Sequence, residues 1–215
     1  MIIKKAARWY AAKDIHVEEV DEPAPGPGEV KIKVAWTGIC GSNLHEYLAG
    51  PIFVPVDQPH PLSGGQAPIT MGHEYCGTVS ELGAGVEGLA IGDPVVIEPI
   101  FACGDCPACR DGKYNLCDRL GFVGLSGGHS GFAAYWVVPA RMVHKMPDGL
   151  SLEQGALIEP AAVALHAVRL SKIRAGEKAA VFGAGPIGLL TLEALRISGS
   201  CRCWDTPLLA MPATG

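Results

Sequence analysis

Cys103, Cys106, Cys109 and Cys117 are separated by two, two and seven residues, a spacing that lets one loop fold around a tetrahedral ion. Thiolates so placed converge at about 2.3 Å from a shared zinc, and a closed four-sulfur shell leaves no position for a substrate, so the chemistry expected here is structural. Disulfides are the first alternative, but Met1 to Arg8 lacks the long apolar core of a secretory leader. An iron-sulfur cluster is the second. Its bacterial motif places the fourth cysteine three residues on and follows it with proline, whereas here the gap is seven and Asp118 follows.

A second set of donors is scattered: Cys40, His73, Glu74 and Glu159. A catalytic zinc takes about three mixed sulfur, nitrogen and oxygen ligands and keeps one position open. Taken singly, each of these residues has an ordinary reading, the cysteine as a small buried hydrophobe and the others as hydrogen-bonded polar groups. Gly72-His73-Glu74 is not a helical zinc-protease motif, since position 77 is Gly where a second His would stand. A third constellation, Gly183-Ala184-Gly185-Pro186-Ile187-Gly188, sits between an apolar run and an apolar helix-like stretch. There the glycines permit a tight turn, approach of a pyrophosphate and close helix packing, with the helix N-terminus facing the phosphates.

The elements that must hold these groups change character along the chain. Val30, Ile32, Val34 and Trp36 alternate with Lys31, Lys33 and Ala35, the period of a half-buried strand. Tyr75 to Leu82, Val95 to Glu98 and Ala133 to Val138 are further strand candidates bounded by Gly or Pro, and together they predict a partly open barrel. Near residue 150 helices begin: Leu152 to Leu157, then Pro160 to Leu170 with its proline in the first turn. Lys178 to Phe182 reads as a short buried strand and Leu189 to Ile197 as a helix. The reading is a β-rich domain over 1–150, with a metal lobe at about 98–120, followed by the start of a nucleotide-binding α/β domain over 151–199.

At 215 residues and 48% hydrophobic content the chain can build a real core. No run of 18 or more apolar residues is present, and a net charge of -5 without a basic block gives no footprint for nucleic acid. Membrane and nucleic-acid partners are therefore not expected, and a cytoplasmic location is.

Four motifs, Gly38-Ile39-Cys40-Gly41-Ser42, Gly72-His73-Glu74, the four-cysteine lobe and Gly183 to Gly188, resemble in order and approximate spacing the zinc-dependent medium-chain alcohol and polyol dehydrogenases. Within that family, Glu159-Pro160 and the stretches Gly50 to Phe53 and Pro59 to Gly64 resemble the butanediol dehydrogenases, with sorbitol and threonine dehydrogenases as relatives. The resemblance implies a GroES-like barrel followed by an incomplete Rossmann domain, with the active site in the cleft between them. It implies Cys40, His73 and Glu159 as ligands of a catalytic zinc, Glu74 beside them and able to exchange in, and Ser42 and His45 as a proton relay. It also implies NAD on Gly183, Gly185, Pro186, Ile187 and Gly188, a second zinc in the lobe, a small alcohol or vicinal diol as substrate, and homo-oligomers. The implied reaction removes a proton from a secondary alcohol's oxygen, eased by the ion, and a hydride from its carbon, taken by nicotinamide. Two other readings are a non-enzymatic zinc-binding remnant and a zinc-free quinone reductase of the same fold; Cys40 together with the lobe argues against the latter.

Two departures stand out. Where the family typically has Asp, this chain has Asn43. Its amide oxygen is expected to accept the ring N–H of the ligating histidine without a carboxylate's charge, which predicts weaker zinc retention. From Ser200 the resemblance stops: Ser200 to Pro207 has no apolar run, no second strand is expected, and residues 200–215 read as an aberrant tail, as after a frameshift or early stop. Asp205 falls near the count expected for a ribose-binding acid. A first strand without neighbours predicts exposed edges, aggregation or a partner chain, and no measurable turnover.

Overall fold

The structure, a computed structural model, describes residues 3–127, 130–199 and 202–206, the last through their backbone. In chain order the elements are β1 (Ile3–Ala11), β2 (Asp14–Asp21), β3 (Glu29–Thr37), α1 (Gly41–Ala49), β4 (Ile69–Thr70), β5 (Tyr75–Leu82), β6 (Pro94–Ile97), β7 (Ile100–Phe101), α2 (Pro107–Arg110), β8 (Gly121–Phe122), β9 (Tyr135–Pro139), β10 (Val143–Lys145), α3 (Leu152–Gly155), α4 (Ile158–Ser171), β11 (Lys178–Phe182), α5 (Pro186–Ile197) and β12 (Arg202–Thr206). They form two compact units that divide after Leu157.

In the first unit β10-β6-β5-β3-β9 make a five-stranded sheet and β2-β1-β4 a three-stranded one. Every pairing is antiparallel, as short turn-linked strands require. Val30, Ile32, Val79, Val95, Ile97 and Val138 fill the first core, and Trp9, Val54, Ile69, Met71 and Leu125 a second. Each such side chain contributes about 1.5–3 kcal/mol on burial. The helix α3 packs on β3, β5 and β6 and so belongs with this unit.

The simple alternation expected in β3 is broken. Register shifts against β5 fall between Lys31 and Ile32 and between Val34 and Trp36. These bulges put Val30, Lys31 and Ile32 all in buried positions and leave Trp36 50% exposed. Lys31, expected on a solvated face, instead lies 2.5 Å from Glu22 and 3.3 Å from Glu81.

In the second unit β11 pairs in parallel with β12 across the α5 crossover, from Lys178↔Arg202 to Phe182↔Thr206. Val168 of α4 packs with Ala194 and Leu195 of α5. This corrects the expectation that β11 stands without a neighbour and that no strand follows Ser200. Cys203, Trp204 and Thr206 carry enough β-propensity to pair, and a strand paired on one edge does not need a continuous apolar run. Pro207, which argued against the strand, lies beyond it and outside the described residues, as does the rest of the tail; Asp205 is described through its backbone, opposite Val181.

Candidate functional site

Two neighbouring strand ends deliver three of the four scattered donors. β3 and β5 run antiparallel with Thr37 opposite Tyr75, so the chain just after β3 meets the chain just before β5. The first segment carries Cys40 and the second His73 and Glu74. Their ligating atoms all lie within 4.8 Å of one another. His73 and Glu74 are buried and Cys40 is half-buried.

Local backbone chemistry fixes this junction. Gly38 N–H donates to Glu74 O at 2.7 Å, and a Cβ at Gly38 would strike the Glu74 carboxylate. Gly72, just before His73, has φ +99, a conformation side chains resist, and a Cβ there would collide with Phe132. Cys40 is the N-cap of α1, so Ser42, Asn43 and His45 follow on one short helix.

Burial pushes the Cys40 thiol up, while a hydrogen bond with the Ser42 hydroxyl opposes the shift. Burial holds His73 down to about 4, which leaves its ring neutral with a lone pair at neutral pH. His73 Nε2 lies 3.4 Å from Ser42 Oγ. Its Nδ1 is buried and has no hydrogen-bond partner among the described residues. A neutral imidazole, a thiol and a carboxyl group whose ligating atoms converge, the imidazole and the carboxyl group buried, fit a zinc-type ion by donor chemistry.

Asn43 does not do what was expected of it. Its Oδ1 accepts the Cys40 backbone N–H at 3.2 Å, completing the helix cap, and its Nδ2 is buried without a partner. His45 is exposed on α1, and Ser42 is half-buried. Glu159 lies in the second unit, in the first turn of α4.

The four cysteines of the lobe also converge, their sulfurs all within 4.8 Å. Cys103 Sγ is 3.9 Å from Cys109 Sγ and 3.4 Å from Cys117 Sγ. The edge of a tetrahedron with bonds of about 2.3 Å is about 3.8 Å, whereas a disulfide bond is about 2.05 Å. Backbone N–H groups of Cys103, Cys106 and Arg119 point at the sulfurs at 3.3–3.4 Å. Such groups hold Cys106 down to about 6 and Cys117 below the ordinary thiol range, while burial pushes Cys109 up to about 12.

In the second unit the glycine turn joins β11 to α5. Gly183 takes φ +113, and a Cβ on Gly188 would strike the Gly183 carbonyl, so strand and helix meet as closely as the motif requires. Gly185 is the N-cap of α5, Pro186 opens the helix, and Ile187 is 45% exposed.

Two positioning residues escaped the sequence reading. Glu46, fully buried on α1, accepts backbone N–H bonds from Ile52 at 3.0 Å, from Val54 at 3.1 Å and from Phe53. His60 accepts from the Leu62 and Ser63 N–H groups at 3.3 and 3.4 Å, and its Nε2 meets Leu120 O at 3.3 Å, which ties this loop to the end of the lobe. His60 lies in the stretch Pro59 to Gly64 that carries part of the resemblance, with no role read from it, and a Glu on a short helix beside a Gly-Pro turn gives no local sign that it will be buried.

Comparison with known proteins agrees with this architecture. The alcohol dehydrogenase GroES-like domain matches residues 26–148, and the chain belongs to that family. It is 59% identical over 204 residues to the (R,R)-butanediol dehydrogenase of Bacillus subtilis strain 168, covering 95% of this chain and 58% of that protein. The crystal structure of 2R,3R-butanediol dehydrogenase from Bacillus subtilis superposes with TM-score 0.89 at 57% identity, over 95% of this chain and 58% of that one. A zinc-binding dehydrogenase from Sinorhizobium meliloti 1021, determined with NADP, gives TM-score 0.87 at 36% identity over 98% of this chain and 58% of its own. The chain thus spans somewhat more than half the length of these relatives. No helix among the described residues is long and apolar enough to cross a membrane.

Proposed function

We propose that the chain carries the metal site and first cofactor-binding turn of a zinc-dependent, NAD-linked dehydrogenase for secondary alcohols of the vicinal-diol type, such as 2,3-butanediol. The observation that carries this reading is the convergence of Cys40, His73 and Glu74 at one buried point where β3 and β5 meet. Its likeness to enzymes named as butanediol dehydrogenases supports the substrate class.

Cys40 and His73 would hold the ion, with Glu74 beside them. Bound there, zinc supplies Lewis-acid stabilisation of the charge that develops as an alcohol loses its proton. The chain's own residues do the remaining work. Burial keeps the His73 ring neutral, and Ser42, in reach of the ligand cluster, takes up the alcohol proton and passes it to the exposed His45 and so to water. The turn from Gly183 to Gly188 offers the dinucleotide pyrophosphate the N-terminus of α5, whose N-cap Gly185 has no side-chain capping bond. The lobe would hold a second zinc that braces the loop between β7 and β8. The abundance of free thiols suits a reducing cytoplasm.

The test is metal analysis together with nucleotide titration on the 215-residue chain. Two zinc equivalents and saturable NAD+ binding support the reading, with NADP+ titrated alongside. One zinc and no nucleotide binding would replace it with the zinc-binding remnant.

A further inference from the structure

Gly72, the residue before His73, has no side chain and takes φ +99, so the peptide joining it to His73 can rotate at little local cost. The direction of that peptide decides where the His73 side chain leaves the backbone. A ligand hung on so permissive a hinge needs the hinge held from elsewhere.

The hold comes from Ser130, Gly131 and Phe132, a strap that starts 58 residues further along the chain. The Ser130 hydroxyl and the Gly131 N–H, the latter at 3.1 Å, both donate to the Gly72 carbonyl. Phe132 N–H donates to the Met71 carbonyl at 2.9 Å, and Phe132 O accepts the N–H of Ala7 in β1 at 2.9 Å, which anchors the strap. Gly131 lies against Thr37 and Tyr75, the facing pair of β3 and β5: a Cβ on it would meet Thr37 Oγ1 at 2.8 Å and Tyr75 Cβ at 3.0 Å. The strap therefore bears on both chain segments that lead to the donors. Ser130 is fully buried and Gly131 is buried. A carbonyl has two lone pairs, and these two donors point at the same one. Turning the Gly72 peptide would strand two buried donors together; without the hydroxyl it would strand one.

We propose that Ser130 is a positioning residue for the metal site: by locking the Gly72–His73 peptide, its hydroxyl keeps the His73 imidazole turned toward Cys40 and Glu74. Gly124 leaves room for this bond, since a Cβ there would strike both the Gly72 carbonyl and Ser130 Oγ. The proposal rests on the zinc-site reading above, but its first readout needs no metal.

NMR of the metal-free, full 215-residue chain reports the ring's direction through nuclear Overhauser contacts between the His73 imidazole and the Cys40 β-protons, and relaxation dispersion at Gly72 and His73 reports a turning peptide. The native chain should show the contact and no dispersion; Ser130→Ala should lose the contact or gain the dispersion. A native chain that lacks the contact or already shows dispersion, or a Ser130→Ala chain that matches a quiet native one, overturns the inference. If Ser130→Ala fails to fold, the native spectrum decides alone. Cobalt(II) should bind the Cys40 site about tenfold or more weakly in Ser130→Ala, with the lobe's affinity unchanged. Equal affinity at the Cys40 site, or equal weakening of both sites as a general loosening would give, overturns it. If neither chain takes cobalt outside the lobe, the zinc-site reading falls, and the NMR measurement still decides for or against Ser130.

Discussion

Gly38 and Glu74 leave each other no spare room: the Gly38 N–H donates to the Glu74 carbonyl at 2.7 Å, and the missing Cβ is the space the Glu74 carboxylate occupies. Gly38→Ala must therefore displace either the carboxylate or the strand end that carries Cys40. We expect metal held at Cys40 and His73 to weaken roughly tenfold or more, while the lobe keeps its own. Site-resolved cobalt absorption would measure this; equal affinity at the Cys40 site would show that the contact is not restrictive.

Glu46 is fully buried, and three successive backbone donors depend on its carboxylate. Glu46→Ala leaves those N–H groups without acceptors and should destabilise the first unit by about 3 kcal/mol or more. Glu46→Gln, which keeps one carbonyl oxygen, should cost less. Urea unfolding of the two variants gives the order directly, and an alanine variant as stable as the native chain would contradict the role assigned here.

Hydrogen bonding from Lys31 holds the Glu22 carboxyl below its ordinary value of 4.5, with Lys4 adding to the effect. Burial lowers the pKa of the Lys31 ammonium, but its bonds to Glu22 and Glu81 outweigh that and raise it. A depressed acid stabilises the fold above its unfolded pKa, and that contribution is lost as pH falls through the folded one. Stability should therefore decline below pH 4.5, and Glu22→Gln should flatten that part of the curve. Parallel curves for the two proteins would remove Glu22 from the account.

Gly188 packs its α-carbon against the Gly183 carbonyl. Gly188→Ala pushes α5 away from β11 and should weaken NAD+ binding at least about tenfold, the loss that a 1.4 kcal/mol misfit produces. Calorimetric titration would measure it. Unchanged affinity would place the nucleotide elsewhere.

Cys109 shares its lobe with three other thiols, 3.9 Å from Cys103. Cys109→Ser should release one metal equivalent and loosen the loop from Phe101 to Gly121, while the Cys40 site keeps its ion. Mass spectrometry of the native protein counts the ions; loss of both would mean the two sites are not independent.

Groups that act through short sequence spacing were legible before the fold was. The lobe and the glycine turn each lie within fifteen residues, and their geometry is set mostly by their own backbone. The strands at Tyr75–Leu82 and Lys178–Phe182 also fall where their patterns place them. What escaped depends on neighbours far along the chain. Lys31 is buried because two bulges rotate β3 and because Glu22, just past β2, and Glu81 of β5 come from elsewhere in the chain to meet it. β12 forms because β11 offers an edge, not because its own residues demand it. Asn43 serves Cys40 because a helix begins there, which composition does not reveal.

The pairing of Thr37 with Tyr75 has a thermodynamic corollary. Because segments at the ends of two adjoining strands bring the thiol and the imidazole together, a slip of one position between those strands would carry one past the other. An ion captured there acts as a rivet on the sheet's alignment, so its binding energy also becomes resistance to unzipping those strands.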